Sequence, residues 1–201
     1  QVQMKAIKAH SKLDYPELPT LFLEFHGGPA SVKEQIEMVE EIATSNLGKS
    51  FSWAEQPEDR SKLWAARHEA YYANRGLQPG ACMITTDVCV PISKLPECLL
   101  ETREDLDSTG LVAPIIGHVG DGNFHVMMLF EESQREIANQ ANERLVERAL
   151  SLEGTCTGEH GIGIGKRHFL LKEHGESVKE MQKIKSIFDP HNIMNPGKIF
   201  L

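Results

Sequence analysis

An α+β fold, with a largely antiparallel sheet carrying helices on one face and a helical C-terminal tail, is predicted for this 201-residue chain from three observations. Short apolar runs and helical periodicities follow one another as strand-helix-strand-helix, then strand-helix-strand-strand-helix. Two of the apolar runs flank Asp121-Gly122, a two-residue hairpin signal, which makes them antiparallel neighbours. Beyond about residue 154 helices and loops continue without a further strand, so the chain divides into residues 1–153 and 154–201, and the second part is expected to pack away from the sheet.

Residues 1–19 are polar and end in Pro16 and Pro19, a linker or the tail of an incoming helix. Residues 20–26 are expected as a strand bounded by Gly27-Gly28-Pro29. A helix follows over 31–46, with Ser31 and Glu34 as a capping box and Val32, Ile36, Val39 and Ala43 as its apolar stripe. Residues 51–54 form a short strand, and 58–73 a helix that buries Leu63, Ala66 and Ala70. Arg67 lies one position off that stripe, either reaching toward a cleft or pairing with Asp59 or Glu69 on its own helix. Residues 83–90 read as one strand closed by Pro91, and 93–107 as a helix with Leu95, Leu99 and Leu106 inward, ended by Gly110. The hairpin strands are 112–116 and 126–130, and 133–152 is an amphipathic helix through Ile137, Leu145 and Leu150. Helices over 166–172 and 177–188 precede a terminal run of turn formers from Asp189 to Lys198.

Apolar content of 40 % and charged content of 25 % describe an ordinary folded chain. A formal net charge of −8 argues against nucleic acid as a partner, which calls for a basic stripe. No apolar run is long enough for a membrane span. The four cysteines have no CxxC spacing, which points to reduced thiols in an intracellular compartment; Cys156 is a nucleophile only if a base is brought to it. The start, Gln1-Val-Gln-Met-Lys, is neither an initiator Met nor a signal peptide, so a segment of a longer chain is expected.

The densest chemistry lies in Gly117-His-Val-Gly-Asp-Gly-Asn-Phe-His125. A turn centred on Asp121-Gly122 makes His118 and His125 direct cross-strand partners, with Cβ atoms about 4.5–5.5 Å apart and both rings on one face. They then hold one metal ion, or they are two histidines of a hairpin satisfied by backbone and water. A third ligand decides between these, and Glu159, beside His160 in the glycine-rich run 154–166, is the candidate. Gly161, Gly163 and Gly165 match neither dinucleotide nor P-loop spacing; they permit close approach to a ring or substrate, or simply a tight loop over the core.

GHVGDGNFH, GEHGIGIGK and DPHNIMNPGK, in this order, resemble the C-terminal half of FAD-linked 2-hydroxy-acid dehydrogenases, in the flavoprotein superfamily of vanillyl-alcohol oxidase. Phe51-Ser-Trp-Ala, Thr86-Asp-Val-Cys-Val-Pro-Ile-Ser and Gly154-Thr-Cys-Thr-Gly-Glu-His-Gly-Ile-Gly are most similar to its mitochondrial D-lactate dehydrogenase branch. The resemblance implies a cap domain over the flavin in residues 1–153 and, in 154–201, an active-site loop and tail that return to an N-terminal FAD-binding domain outside this chain. The fragment alone is then expected to be inactive and to bind little FAD. It also implies that His118, His125 and Glu159 ligate a divalent metal, Zn²⁺ or Mn²⁺, and that His160 is the catalytic histidine. Arg67 would hold the substrate carboxylate, Asn195 would approach the flavin, and cytochrome c would accept the electrons in the mitochondrion. Met127 and Thr85 stand where the related 2-hydroxyglutarate dehydrogenases carry asparagine and lysine, which favours a short D-2-hydroxy monocarboxylate.

In that chemistry the α-hydroxyl must shed its proton as the carbon is oxidised; a divalent ion acts as Lewis acid and His160 as base, while Arg67 grips the carboxylate by two hydrogen bonds. Three alternatives remain from the sequence: a 2-hydroxyglutarate-type enzyme, a flavin-independent metalloenzyme with two His and one Glu, and a non-catalytic ligand-binding domain.

Overall fold

The computed structural model describes residues 2–11 and 15–200. These form two compact units, residues 1–79 and 80–201. The boundary expected at residues 153 and 154 falls inside the second unit.

The first unit contains α1 (Val2–Ser11), α2 (Pro29–Ser45), α3 (Pro57–His68) and α4 (Ala70–Arg75), and among its described residues no strand. Met4, Ala6 and Ile7 of α1 are buried, as are Ala66 of α3 and Ala70 and Ala73 of α4. Residues 20–26 and 51–54, expected as strands, have no ladder partner. An extended segment needs a sheet edge to satisfy its backbone groups, and among the described residues of this unit no strand supplies one. The expected capping box is also absent. Gly28 is the N-cap of α2 with Pro29 opening the helix, and Ser31 Oγ instead accepts from Gln35 Nε2 at 3.2 Å. The predicted face of α2 is nonetheless its less exposed one, for Val32, Ile36, Val39 and Ala43 are all half-buried.

The second unit runs β1 (Cys82–Thr85), β2 (Val88–Cys89), α5 (Leu95–Thr109), β3 (Ile115–His118), β4 (Asn123–Phe130), α6 (Arg135–Ser151), α7 (Leu170–His174) and α8 (Ser177–Phe188). Every pairing in its sheet is antiparallel, as expected, and all use β4. All eight residues of β4 are buried, which explains its unbroken apolarity after His125. α6 turns Ala138, Ala141, Leu145 and Ala149 inward, a mostly alanine face that permits close packing, whereas Ile137, expected inside, is 41 % exposed. Cys98 and Leu106 of α5 join Phe124, Val126, Met128 and Phe130 in one core. Cys156 and Phe169 belong to that core too, and Thr155 bridges to Cys89, so the start of the C-terminal segment packs on the sheet rather than away from it.

The hairpin forms one position earlier than its Asp-Gly signal suggested. A short 3₁₀ turn over Val119–Asp121 precedes Gly122, which alone takes the left-handed conformation, at φ 77°. His118 therefore pairs with Asn123 and His125 with Ile116. Gly122 is also required sterically, because a Cβ there would strike the Val90 carbonyl oxygen.

Candidate active site and metal centre

The strand expected over 83–90 is broken at Thr86-Asp87, and the break builds the site. β1 pairs with β4 from Cys82–Phe130 to Thr85–Met127, and β2 from Val88–Phe124 to Cys89–Asn123, so one register carries through and sets Asp87 opposite His125. Thr86 N donates to the Val126 carbonyl at 2.9 Å, but Val126 N donates to Thr86 Oγ1 at 2.7 Å, not to the Thr86 carbonyl. The hydroxyl thus releases that carbonyl oxygen, which lies 3.0 Å from His125 Nδ1. A carbonyl only accepts, so Nδ1 carries the proton and neutral His125 offers its lone pair at Nε2.

The glycine-rich loop is docked onto Asp87. Its Oδ2 accepts from Thr157 Oγ1 at 2.8 Å, Glu159 N at 3.0 Å and His160 N at 2.8 Å. Burial, the largest influence, pushes the Asp87 carboxyl up, but the His160 N–H, the Thr157 hydroxyl and the Glu159 N–H together outweigh it and hold the group below its ordinary range. Lys166 Nζ donates to the carbonyls of Asp87 and Cys156, tying the far end of the loop to the same strand. Burial lowers the Lys166 pKa.

This docking brings His125 Nε2 to 2.9 Å from Glu159 Oε1. Both atoms are acceptors when the ring is neutral, so a cation must join them, either a proton shared as an ion pair or a metal ion. Neighbouring ligand atoms about 2.0–2.2 Å from one ion stand about 3 Å apart, so the spacing fits a metal. Asp87, His125, Glu159 and His160 each offer a ligand atom, all within 4.8 Å of one another. The buried Asn123 Oδ1, on the same strand face, has no hydrogen-bond partner among the described residues. His160 stacks on His125 with centroids 5.2 Å apart and planes 10° from parallel. In a stack the in-plane lone pairs run side by side rather than meeting at one point.

His118 is not in this group. The shifted register keeps it on the same sheet face as His125 but makes it a diagonal neighbour, and its side chain is exposed. Arg67 is half-buried near the C-terminal end of α3, in the first unit. Asn195 is exposed, with φ 47°, and its carbonyl accepts from Lys198 N at 3.3 Å in the terminal turn. Cys156 is fully buried, and burial together with a hydrogen bond to Glu173 pushes its thiol up to about 12, so at neutral pH it is not a nucleophile. Asp87 was missed from sequence although a signal existed: a lone acid within a strand of otherwise apolar and β-branched residues must find buried donors. Thr85 and Met127, singled out above from the sequence, are direct cross-strand partners on the face that carries Asp87 and His125.

The family described as FAD linked oxidases, C-terminal domain, matches residues 1–199. The chain is 48 % identical to a protein of Danio rerio named probable D-lactate dehydrogenase, mitochondrial, over 98 % of this chain and 41 % of the relative. It is 43 % identical to the D-lactate dehydrogenase [cytochrome], mitochondrial, of Arabidopsis thaliana, over 99 % of this chain and 36 % of the relative. A glycolate oxidase subunit of Bacillus subtilis is 31 % identical over 100 % of this chain and 43 % of its own length. The chain thus spans well under half the length of these relatives. No helix among the described residues is long and apolar enough to cross a membrane.

Proposed function

Because the chain belongs to the C-terminal domain family of FAD-linked oxidases, we propose that it is the substrate-side part of a mitochondrial FAD-dependent D-2-hydroxy-acid dehydrogenase that oxidises D-lactate to pyruvate and passes electrons to cytochrome c. The observation that carries this is the convergence of His125 Nε2, Glu159 Oε1 and the His160 ring at one corner of the sheet. Relatives named for D-lactate and glycolate, both 2-hydroxy monocarboxylates, support the substrate class. So does the Thr85–Met127 pair beside His125, which offers no cation to a second carboxylate.

Among this chain's residues, His125 Nε2 and Glu159 would hold a divalent ion, Zn²⁺ or Mn²⁺, with His118 as the third ligand that the resemblance assigns. When bound, the ion supplies Lewis-acid stabilisation of the developing alkoxide, and the flavin of the full-length protein supplies the electron acceptor. Thr86 keeps the His125 ring turned so that Nε2 faces Glu159. His160, with 55 % of its side chain exposed, is open to substrate and takes the hydroxyl proton at Nε2, while its Nδ1 lies 3.8 Å from Asp87 Oδ2. Arg67 grips the substrate carboxylate and Asn195 approaches the flavin. The exposed Ile187, Phe188 and Ile193 are apolar residues that an FAD-binding domain would cover on the return of residues 154–201 to it.

The test is elemental analysis and steady-state kinetics of the full-length protein. One divalent ion per chain is expected, lost with activity in His125→Ala while FAD stays bound; His160→Ala should keep the ion and lose turnover. A His125→Ala protein that retains both metal and activity overturns the assignment.

A further inference from the structure

We propose that Asp87 is a positioning residue that docks the glycine-rich loop onto the sheet and so sets where Glu159 and His160 stand, a role that rests on the metal and base assignments above. Glu159 and His160 come from a segment rich in glycine and lacking regular structure, and such a segment does not hold two side chains in place by its own backbone preferences. The restraint comes from outside the loop. One buried oxygen, Asp87 Oδ2, collects the N–H groups of both residues and the hydroxyl of Thr157, with distances of 2.8 to 3.0 Å. Because the register sets Asp87 opposite His125, the carboxylate that seizes the loop also fixes it relative to the imidazole it must meet.

Two further features serve the same contact. A Cβ on Gly158 would collide with Asn123 Oδ1 and Asp87 Oδ1, so only glycine lets the loop lie this close. Lys166 Nζ donates to the Asp87 carbonyl, holding the backbone of the docking residue to the end of the loop. Asp87 Oδ1 stays 3.6 Å from His125 Nδ1, whose shorter contact is with Thr86. The three donors gathered by Asp87 Oδ2, together with the residue's burial at 1 % exposure, commit that oxygen to the loop.

The experiment compares the full-length protein with Asp87→Ala, Asp87→Asn and Thr157→Val, reading Mn²⁺ affinity after chelator treatment, FAD content, kcat and KM for D-lactate, and amide hydrogen exchange. Outer-shell partners of metal ligands typically carry 10- to 100-fold in affinity. Asp87→Ala should therefore weaken Mn²⁺ about 10- to 100-fold and lower kcat with little change in KM, FAD content staying at the wild-type level. Asp87→Asn should recover part of this, because its amide oxygen still accepts the two N–H groups, and Thr157→Val should shift the same quantities by a few fold. If Asp87→Ala does not fold, the other two variants carry the test. The amides of Glu159 and His160 should lose exchange protection while those of β4 keep theirs. Mn²⁺ affinity within twofold of wild type in every variant that folds, with the wild type binding the ion, overturns the docking role and leaves the metal assignment standing. If the wild type binds no divalent ion, the metal assignment fails by itself, and unchanged protection at Glu159 and His160 then overturns the docking role independently.

Discussion

β4 buries all eight of its residues, whereas α2, with more than twice as many residues, buries none. Both are amphipathic or apolar by pattern, so the difference lies in what each unit supplies to cover them. β4 has a strand on either side and the alanine face of α6 in the same core. In the first unit Leu21 is 67 % and Leu23 50 % exposed while Phe22 and Phe25 between and beyond them are half-buried, and Met38 and Ile42 on α2 are exposed as well. An element is held by its neighbours more than by its own propensity, and the cluster of Asp87, His125, Glu159 and His160 lies in the unit whose sheet is covered.

The largest effect that sharpens this contrast is a pair of truncations. Phe124→Ala removes a fully buried ring from the centre of the second unit, and should cost about 3–5 kcal/mol in denaturant unfolding. Ile36→Ala, at a half-buried position of α2, should cost less than about 1 kcal/mol. Comparable losses from the two variants would show that α2 is covered in solution and that the contrast between the units is false.

The second prediction concerns what the first unit contributes to function. Arg67→Lys keeps the charge but not the planar fork, so kcat/KM for D-lactate should fall about 10- to 100-fold with stability unchanged. Unaltered kinetics would place the carboxylate partner elsewhere and leave the first unit without an assigned chemical role.

Much of the second unit was legible in the sequence, for physical reasons that differ by element. The inward faces of α5 at Leu95 and Leu106 follow from a 3.6-residue period, and the hairpin from two apolar runs around a glycine. Its register was not legible, because Asp121-Gly122 signals a turn but not how many residues close it. Here Val119 and Gly120 join the loop, and the partner of His118 shifts by two residues, from His125 to Asn123. The break at Thr86-Asp87 was hidden because the register is unchanged across it; only the exchange of a carbonyl for the Thr86 hydroxyl distinguishes it from a continuous strand. The expected strands of the first unit failed for the opposite reason. Their apolar runs are clear, but a strand exists only as a pair, and sequence pattern does not name the partner.

The smallest effect tests whether the second unit's helices are also held by charge. Asp105 on α5 accepts from Arg144 Nε at 2.9 Å and from Arg148 Nη2 at 3.4 Å, both on α6, and its side chain is only 15 % exposed. Burial, the largest influence, raises its pKa, but the hydrogen bonds and charges of the two arginines overcome this and leave the carboxyl below its usual range. A carboxyl whose folded pKa is depressed contributes stability that is fully present above its unfolded value, near 4, and is lost as pH falls through the folded value. Asp105→Asn should therefore cost about 1–2 kcal/mol at pH 7, discounted for the partly exposed Arg144, and progressively less below pH 4. Denaturant unfolding of the two proteins across pH 3 to 7 checks the sign: curves that converge toward acid fit an α5–α6 ion cluster. A constant gap would show that the residue acts through packing alone, leaving the alanine face of α6 as what holds that helix in place.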